Sequence, residues 1–409
     1  MNSPETPGAL SAFRVLELGS TIAAPFCGRL LADFGAEVIK VEDVAGDTLR
    51  NVGDSYEGKS LYAASLFRNK SLIALDLRRN EARDLVRALV AKSDVVIENF
   101  RPGLMERWGL GYADLAAINP GVVMVRISGY GQTGPYAERP GYGVVGEALS
   151  GLRYINGDPD RPPGRMATAL TDYITGLYGA FGALAALHHR QATGRGQCID
   201  AALFECAFSF MEPYIQNFDK LGTVAERAGS RLPGATPNNL YATGDGQFIL
   251  IAAFADNIFR RLCGAIERPD AADDPRFRTL EVRNGHADEI DDIITAWTTS
   301  LPLAELESRL EAAEVPCSRI FSMKDIFADP HYRARGMLVP VPDDDIGPIT
   351  MAAPVPRLSE TPGRTGHAGR RIGQDTRSIL EDVAGLAPEA VHKLIADGVV
   401  RAETAAAGE

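Results

Sequence analysis

Cysteine and histidine are scarce in this sequence of 409 residues, which contains five cysteines and six histidines. The cysteines stand far apart, form no CxxC pair and are odd in number, so we predict neither a disulfide framework nor a zinc site. No two histidines have the spacing of a ligand motif such as HExxH. His188 and His189 lie near the end of a predicted helix, where cationic side chains suit the helix dipole. We therefore expect no bound metal and a reducing compartment.

Long apolar runs and an excess of positive charge are also missing. No apolar segment has the length of a membrane span, and residues 1–11 lack the basic and apolar regions of a signal peptide. The net charge of −12 argues against a nucleic-acid binder, whose surface would be basic. The chain is long enough for about two or three domains with sizeable cores. These features predict a cytoplasmic globular protein without a nucleic-acid or membrane partner.

Strand and helix patterns alternate along the first half of the chain. Residues 13–18 predict a strand, residues 24–34 a helix and residues 37–42 a second strand, which together make a βαβ unit. Further strands, apolar enough to be buried and parallel, are predicted at residues 71–77, 94–98 and 122–127. The fold class is therefore α/β with a mostly parallel sheet. The turn after the first strand lacks the GxGxxG fingerprint, so NAD binding is only weakly supported.

A second domain is predicted from a change in composition. Residues 223–239 are rich in glycine, proline and arginine, which is typical of a linker. A strand pattern at residues 246–252 and several helical patterns follow it. We expect a smaller α+β domain at residues 221–329.

The helix predicted after Asp172 has an unusual composition. Glycines at 176, 179 and 182 are three residues apart, so they share one helical face and allow another backbone to come close. Asp172 is a single carboxylate at the head of this helix. It is either an ordinary first-turn cap or a carboxylate kept ionised by the helix dipole and able to act as a nucleophile. The local sequence leaves both interpretations open.

Motifs along nearly the whole chain resemble those of the family III CoA-transferases, the group that also contains the carnitine and bile-acid CoA-transferases. They lie at residues 14–18, 24–25, 31–42, 68–71, 98–103, 128–135, 172–176 and 194–197. The resemblance implies a Rossmann-like large domain formed by residues 1–220 and 330–409, a smaller domain, and two chains interlocked as a homodimer. It implies no tightly bound cofactor, because a coenzyme A thioester enters as substrate.

The resemblance also implies a mechanism and a catalytic residue. An aspartate that matches Asp172 attacks the donor thioester and forms a mixed anhydride, and CoA then converts it into an aspartyl-CoA thioester. The acceptor carboxylate takes over the CoA through a second anhydride. One difficult exchange is thereby divided into easier covalent steps. No histidine is needed to move protons.

The CoA-binding residues implied by the resemblance come from several segments. They are Thr21, Ile22, Ala23, Leu75, Arg78, Asn99, Phe100, Arg107 and Arg139. Asn99 and Phe100 match contacts to the adenine and the pantetheine, and Arg107 matches an arginine that binds phosphate with its planar fork. Asp43 stands where some relatives carry a basic residue. That contact to the CoA phosphates is therefore in doubt.

Three other functions are weighed against CoA transfer. An acyl-CoA racemase of the same fold needs a histidine in a Gly-His-Asp run, but this chain has Tyr142 between two glycines there, and tyrosine is a poor proton acceptor near neutral pH. A non-catalytic CoA-binding paralogue would not need Asp172. An NAD-dependent oxidoreductase is the third alternative.

The segments around residues 129–135 and Asp172 are most similar to relatives that use succinyl-CoA and a small dicarboxylate. Citramalate, itaconate, malate and glutarate are the acceptors that this similarity suggests. A second carboxylate on the acceptor needs a cationic partner when it leaves water. Arg50 and Arg165 are the candidates for that partner, although each of them is equally consistent with an exposed surface charge.

Overall fold

A computed structural model describes residues 7–403. The first six residues, which belong to the stretch examined for a signal peptide, and the last six residues lie outside the described part. The strands are β1 (Arg14–Glu17), β2 (Glu37–Glu42), β3 (Ser55–Tyr56), β4 (Lys59–Ser60), β5 (Lys70–Leu75), β6 (Val95–Glu98), β7 (Val123–Ser128), β8 (Cys198–Ala202), β9 (Asn238–Ala242), β10 (Phe248–Ala252), β11 (Cys317–Arg319), β12 (Leu338–Val341), β13 (Ile349–Ala352) and β14 (Val400–Arg401).

The helices lie between these strands and after them. They are α1 (Ala23–Asp33), α2 (Leu61–Leu66), α3 (Asn80–Val90), α4 (Leu104–Arg107), α5 (Tyr112–Ile118), α6 (Gly143–Leu149), α7 (Leu152–Ile155), α8 (Leu170–Thr193), α9 (Leu203–Phe208), α10 (Glu212–Leu221), α11 (Asp256–Ala265), α12 (Pro269–Asp273), α13 (Leu280–Asn284), α14 (Ala287–Thr298), α15 (Leu303–Ala312), α16 (Met323–Ala328), α17 (Pro330–Ala334), α18 (Thr376–Ser378) and α19 (Pro388–Ala396).

The chain divides into two units. The first contains the described residues up to Leu152, residues Met166–Gln216, and those from Arg333 onward. The second contains Arg153–Arg165 and Asn217–Tyr332. In the described part of the chain, no helix combines the length and the apolar character that crossing a membrane requires.

A seven-stranded sheet organises the first unit. Its strand order is β14-β5-β2-β1-β6-β7-β8, and only the edge strand β14 runs antiparallel to its neighbour. The prediction of an α/β fold with a mostly parallel sheet is confirmed. The strand order reverses between the neighbouring strands β1 and β6. Strands β2 and β5 lie on the far side of β1, whereas β7 and β8 lie on the far side of β6. In open parallel sheets, ligands bind beyond the carboxyl ends of the strands at such a point.

Successive side chains of the strands point to opposite faces of the sheet and build two hydrophobic cores. On one face, Leu16, Ile39 and Val96 pack with α3 and with the C-terminal segment around α19. On the other face, alternate residues such as Val15 pack with α1 and α8. Both faces are covered, which explains the nearly continuous apolar sequence of the central strands.

Helix α8 packs against α1 through its glycines. A Cβ atom placed on Gly176 would lie 2.6 Å from the carbonyl oxygen of Ala23, and one on Gly179 would lie 3.2 Å from Sγ of Cys27. Real Cβ atoms do not approach a backbone oxygen so closely. The expectation that the glycine face admits another backbone is therefore confirmed. The first turn of α8 is held beside the first turn of α1.

The second unit has its own sheet and core. Strands β9, β10 and β11 form an antiparallel sheet in the order β11-β10-β9. Apolar residues of β10 pack with α11, α14 and α15 around Phe259 and Leu306. The buried carboxylate of Asp291 accepts hydrogen bonds from Tyr241, Arg231 and Asn239, which ties α14 to β9 and to the segment before it.

Candidate active site

A cleft of about 230 Å³ lies at the point where the strand order reverses. Several predicted CoA-binding residues line it: Leu75 at the end of β5, Arg78 just beyond it, and Phe100 after β6. Ser20, from the loop after β1, and Trp108 complete one side, and the ring of Phe100 packs edge-on against Trp108 with centroids 5.3 Å apart. The structure thus brings together predicted residues from two separate segments, the end of β5 and the loop after β6, whereas Ser20 and Trp108 were not predicted.

The remaining predicted residues occupy different positions around this cleft. Thr21 and Ile22 precede α1, Ala23 begins it, and Asn99 directly follows β6. Arg107 is exposed at the end of α4, and a Cβ on Gly103 would lie 3.3 Å from its Nη1 atom. Arg139 lies over the ring of Tyr136 at 3.6 Å. Neither Arg107 nor Arg139 is among the described residues that line the cleft.

Acidic residues modify the charge of the cleft. The exposed guanidinium of Arg78 is 2.6 Å from Oδ1 of Asp76, and this hydrogen bond lowers the pKa of Asp76. The pKa of Arg78 is raised by Asp76 and also by the charge of Asp43, which lines the same cleft. A phosphate that binds Arg78 therefore meets two carboxylates nearby, one of them the residue that departs from the family pattern.

Asp172 is the third residue of α8 and is half-buried. Gly143, the first residue of α6, lies directly against it: a Cβ on Gly143 would come within 1.9 Å of Oδ2 of Asp172. Gly141 in turn packs on Gly129, where an added Cβ would lie 2.9 Å from the other Cα. The loop after β7 therefore folds back onto its own first residues, and α6 begins next to the carboxylate of Asp172. A side chain at position 143 would displace that carboxylate.

The glycine-rich loop after β7 is itself held by hydrogen bonds. The N–H of Gly131 donates to Oγ of Ser128 at 3.0 Å, and the N–H of Gln132 donates to Oδ2 of Asp200 on β8 at 2.8 Å. These bonds fix the loop at the carboxyl end of the sheet.

Two tyrosines that sequence reasoning missed lie beside Asp172. The hydroxyl groups of Tyr62 and Tyr173 are 2.8 Å apart, and Tyr173 packs edge-on against Phe26. Burial raises the pKa of Tyr62, and the hydrogen bond to Tyr173 and the charges of Tyr173 and Asp172 raise it further. The hydroxyl group of Tyr62 therefore remains neutral near pH 7. Adjacency to Asp172 was a signal for Tyr173, whereas the sequence contains no comparable signal for Tyr62.

The two candidate partners for an acceptor carboxylate are placed differently. The guanidinium of Arg50 binds Glu42 through two hydrogen bonds, Nε to Oε1 and Nη2 to Oε2, each of 2.8 Å. It also donates to the carbonyl oxygen of Arg370. Arg165 is exposed and belongs to the second unit. Only Arg50 is therefore engaged by an internal carboxylate in the contacts described.

Metal binding finds no support in the side-chain arrangement. Between residues 7 and 403 the structure contains no group of three or more His, Cys, Asp or Glu side chains suited to hold a metal ion. The five cysteines are free thiols, and burial raises the pKa of Cys198 and of Cys206 to about 11. These thiols are therefore poor nucleophiles near pH 7. Asp172 is the better candidate for covalent chemistry.

Comparisons with known proteins give a consistent result. The family model described as CoA-transferase family III matches residues 10–376. The succinyl-CoA–D-citramalate CoA-transferase of Chloroflexus aurantiacus is 45% identical over 402 residues, which are 98% of this chain and 100% of that relative. The beta subunit of succinyl-CoA–L-malate CoA-transferase from the same organism is 39% identical, with coverage of 98% and 100%. A crystal structure of a CAIB/BAIF family protein from Brucella suis has a TM-score of 0.82 at 33% identity and covers 92% of this chain and 100% of its own.

Proposed function

Because the chain belongs to CoA-transferase family III and is a CoA-transferase, we propose that it moves CoA from succinyl-CoA to a small dicarboxylate. Citramalate, itaconate, malate and glutarate are the candidate acceptors. The similarity to the two Chloroflexus enzymes supports this choice of donor and acceptor class. The observation that carries the proposal is the single carboxylate of Asp172 at the head of α8, with Gly143 packed against it.

The proposed reaction uses Asp172 as the nucleophile. Its carboxylate attacks the thioester carbonyl of succinyl-CoA, the C–S bond breaks, and a mixed anhydride and a CoA thiolate result. The thiolate attacks the aspartyl carbonyl, releases succinate and leaves an aspartyl-CoA thioester. The acceptor carboxylate attacks that thioester, and the thiolate released then attacks the acceptor side of the new anhydride. The products are the new acyl-CoA and free Asp172, with no net proton transfer.

The surroundings of Asp172 suit this sequence of steps. Each attack develops a negatively charged tetrahedral oxygen, which peptide N–H groups stabilise when they are fixed in advance. The absence of a side chain at Gly143 leaves backbone close to the reacting carboxylate. The hydroxyl group of Tyr62 remains neutral near pH 7 because burial and its hydrogen bond to Tyr173 raise its pKa, so it adds no charge that would compete with the thiolate.

For the acceptor, we propose that one of the two candidate arginines, Arg50 or Arg165, is the partner of the distal carboxylate. Arg50 would have to give up two charge-assisted hydrogen bonds to Glu42 before it could bind a ligand. Removing one partner from a buried ion pair is strongly destabilising because it leaves an uncompensated charge, and Glu42 is buried. Among the contacts described, none joins Arg165 to a carboxylate.

We also propose that the chain acts as an interlocked homodimer. Exposed apolar side chains on the first unit support an association surface. They include Leu177, Phe181 and Leu184 on α8, Val144, Val145 and Leu149 on α6, and Phe208 and Phe210 at and after the end of α9. Contiguous apolar surface of this kind usually marks a protein interface.

The racemase alternative gains no support from the site. Tyr142, at the position of the racemase histidine, is 72% exposed. A racemase would also need a group that removes an α-proton, and the hydroxyl group of Tyr62 is a poor base because burial raises its pKa and keeps it protonated.

A CoA-exchange assay by mass spectrometry tests the proposal. The purified protein is incubated with succinyl-CoA or acetyl-CoA and a panel of mono- and dicarboxylates. We expect new acyl-CoA products from succinyl-CoA with dicarboxylates, and one of the two variants Arg50→Gln and Arg165→Gln should lower dicarboxylate use by at least about tenfold. Arg78→Gln serves as a comparison that should weaken all CoA thioesters equally. Equal kcat/KM for succinate and butyrate would contradict a dicarboxylate specificity.

A further inference from the structure

Three consecutive residues in the loop before α1 are each held by a side chain from a different part of the chain. Lys40 on β2 donates from Nζ to the carbonyl oxygen of Gly19 at 2.7 Å. Asn99 accepts from the N–H of Ser20 at 2.9 Å and donates to its carbonyl oxygen at 2.8 Å. Asp47 accepts from the N–H of Thr21 at 3.1 Å. The loop therefore has almost no freedom to change its backbone shape.

The held loop contains a strained residue. Thr21 has φ of 67°, in the left-handed region that β-branched residues rarely adopt. Such a conformation persists only when the surrounding structure imposes it. The bonds from Asp47 to Thr21 and from Asn99 to the preceding residue impose it here. Strain that is held in this way is typical of ligand-binding loops.

The charged side chains that hold the loop are buried. Lys40 is fully buried and pairs with Asp47 at 2.9 Å and with Glu17 at 3.3 Å. Glu17 also binds the buried Lys70 at 2.7 Å. Asp47 accepts a further hydrogen bond from the N–H of Leu49. Since each group has at least two partners, the arrangement is rigid before any ligand arrives.

The side-chain amide of Asn99 is already used by this loop. Its orientation is unambiguous, because the N–H of Ser20 requires the amide oxygen and the carbonyl of Ser20 requires the amide nitrogen. One N–H of the amide and one lone pair of its oxygen remain, and they point to opposite sides of the amide group. An asparagine that recognises the edge of adenine uses both its oxygen and its nitrogen. Asn99 cannot do that while it holds Ser20.

We infer that Asn99, Asp47 and Lys40 are positioning residues that preform the loop at residues 19–21 for the CoA thioester. The side chain of Asn99 acts through the loop and does not recognise the adenine. This inference rests on the proposed function only in taking a CoA thioester as the ligand. It changes the role that the family resemblance assigned to Asn99, and it adds two buried residues to the binding site.

The first test compares Asn99→Ala with a matched variant, Asn119→Ala. Asn119 likewise holds loop backbone through both ends of its amide, at Val90, Ser93 and Gly121, but lies outside the cleft. We expect Asn99→Ala to raise the KM for succinyl-CoA by about tenfold, the loss of roughly one pair of net hydrogen bonds. The KM for the acceptor should stay unchanged, and Asn119→Ala should leave both values unchanged.

The second test separates positioning from direct recognition of the base. The same enzymes are assayed with succinyl-CoA and with an analogue in which hypoxanthine replaces adenine. If Asn99 acts through the loop, the Asn99→Ala penalty is the same for both thioesters. A penalty that disappears with hypoxanthine would overturn the inference, because it would show that Asn99 contacts the adenine edge.

A third test uses the strain of Thr21. Glycine adopts positive φ without steric cost, so a Thr21→Gly background should reduce the Asn99→Ala penalty at least about threefold. Penalties that simply add would contradict the inference, since independent ligand contacts behave in that way. If the unchanged protein binds no CoA thioester by calorimetry, the proposed function fails instead. The two failures are therefore distinguishable.

Discussion

At the scale of single residues, Asp172 and Asp114 have the same position in their helices but different surroundings. Asp114 also stands third in its helix and accepts the N–H of Gly111 at 3.1 Å. Asp172 lies against Gly143 and close enough to Tyr62 to raise the pKa of that tyrosine. These surroundings support the proposal that Asp172 is the nucleophile.

Replacing the nucleophile should abolish turnover without unfolding the protein. We expect Asp172→Ala to lower kcat by about 10⁴-fold or more, as for other covalent nucleophiles. Incubation with succinyl-CoA and hydroxylamine should modify Asp172 alone, which peptide mass spectrometry detects. Asp114→Ala is the matched control and should lose only cap stability, about 0.5–2 kcal/mol. Near-native transfer by Asp172→Ala would exclude the proposed mechanism.

Gly143 should tolerate no side chain. In Gly143→Ala the new methyl group overlaps Oδ2 of Asp172, so the carboxylate must move by an ångström or more. A displacement of that size lowers rates by about 10²-fold. Gly264→Ala, in α11, is the control, because an added Cβ there meets no atom within 4 Å. Equal kcat for the two alanine variants would show that Gly143 does not set the position of Asp172.

At the scale of elements, the contact between α1 and α8 connects the proposed CoA loop to the proposed nucleophile. Gly176 is one turn after Asp172 and meets the carbonyl of Ala23, the first residue of α1. A change in the spacing of these helices therefore moves both halves of the site at once. The glycine face of α8 therefore sets the relative position of the two parts of the site as well as the packing of the two helices.

Gly176→Ala should weaken both stability and activity. Its Cβ would lie 2.6 Å from a backbone oxygen that cannot turn aside, so we expect a loss of about 1–3 kcal/mol in the free energy of unfolding. Gly182→Ala is the control: its nearest neighbour is a side-chain methyl of Ile199 at 3.1 Å, and alanine favours helix by up to about 1 kcal/mol. Urea unfolding measures both. A stabilised Gly176→Ala would contradict the close contact.

The stability that Asp47 contributes by holding the β1–α1 loop should depend on pH. Burial alone would raise the pKa of Asp47, but Lys40 and the N–H groups of Leu49 and Thr21 outweigh it and hold that pKa below its usual value. A carboxyl with a lowered pKa in the folded state contributes stability above its unfolded pKa of about 3.9 and loses it as the pH falls.

The acid dependence can be measured by urea unfolding from pH 7 to pH 3. We expect Asp47→Asn to be less stable than the unchanged protein at pH 7, because the charge that pairs with Lys40 is gone. The difference should shrink as the pH drops below about 4. A difference that is constant across this range would show that Asp47 has the same pKa in the folded and unfolded chain.

At the scale of the whole molecule, the exposed apolar face of α6, α8 and α9 needs an explanation. Phe181 is 67% exposed in the middle of the longest helix of the first unit, with Leu177 and Leu184 on the same face. An isolated chain would present this surface to water. The proposed homodimer would cover it.

Dilution tests the proposed interlocking. Chains that pass through one another cannot separate without unfolding, so size-exclusion profiles should stay dimeric down to nanomolar concentration. Phe181→Glu should lower the yield of folded dimer, whereas Phe248→Glu, at a site of similar exposure on β10, should not. A monomer that appears reversibly on dilution would exclude interlocking.

The sequence by itself determined the α/β class, the central strands and the family. Strands such as β7 are covered on both faces, so their apolar runs are visible without a structure. The glycine spacing of α8 predicted the close approach of another backbone. The pattern of residues 203–219 predicts a single helix, but a 3₁₀ turn at Ser209–Met211 divides it into α9 and α10, because periodicity does not mark local changes of hydrogen bonding.

Only the tertiary structure decided which groups meet. Helix α6 has two glycines and weak helical propensity, so its sequence did not predict it, and packing on Leu203 and Asp172 holds it. Tyr62 lies 111 residues from Tyr173, and Asn99 lies 79 residues from Ser20. Local pattern carries no information about contacts at such separations, because the folded sheet and helices create them.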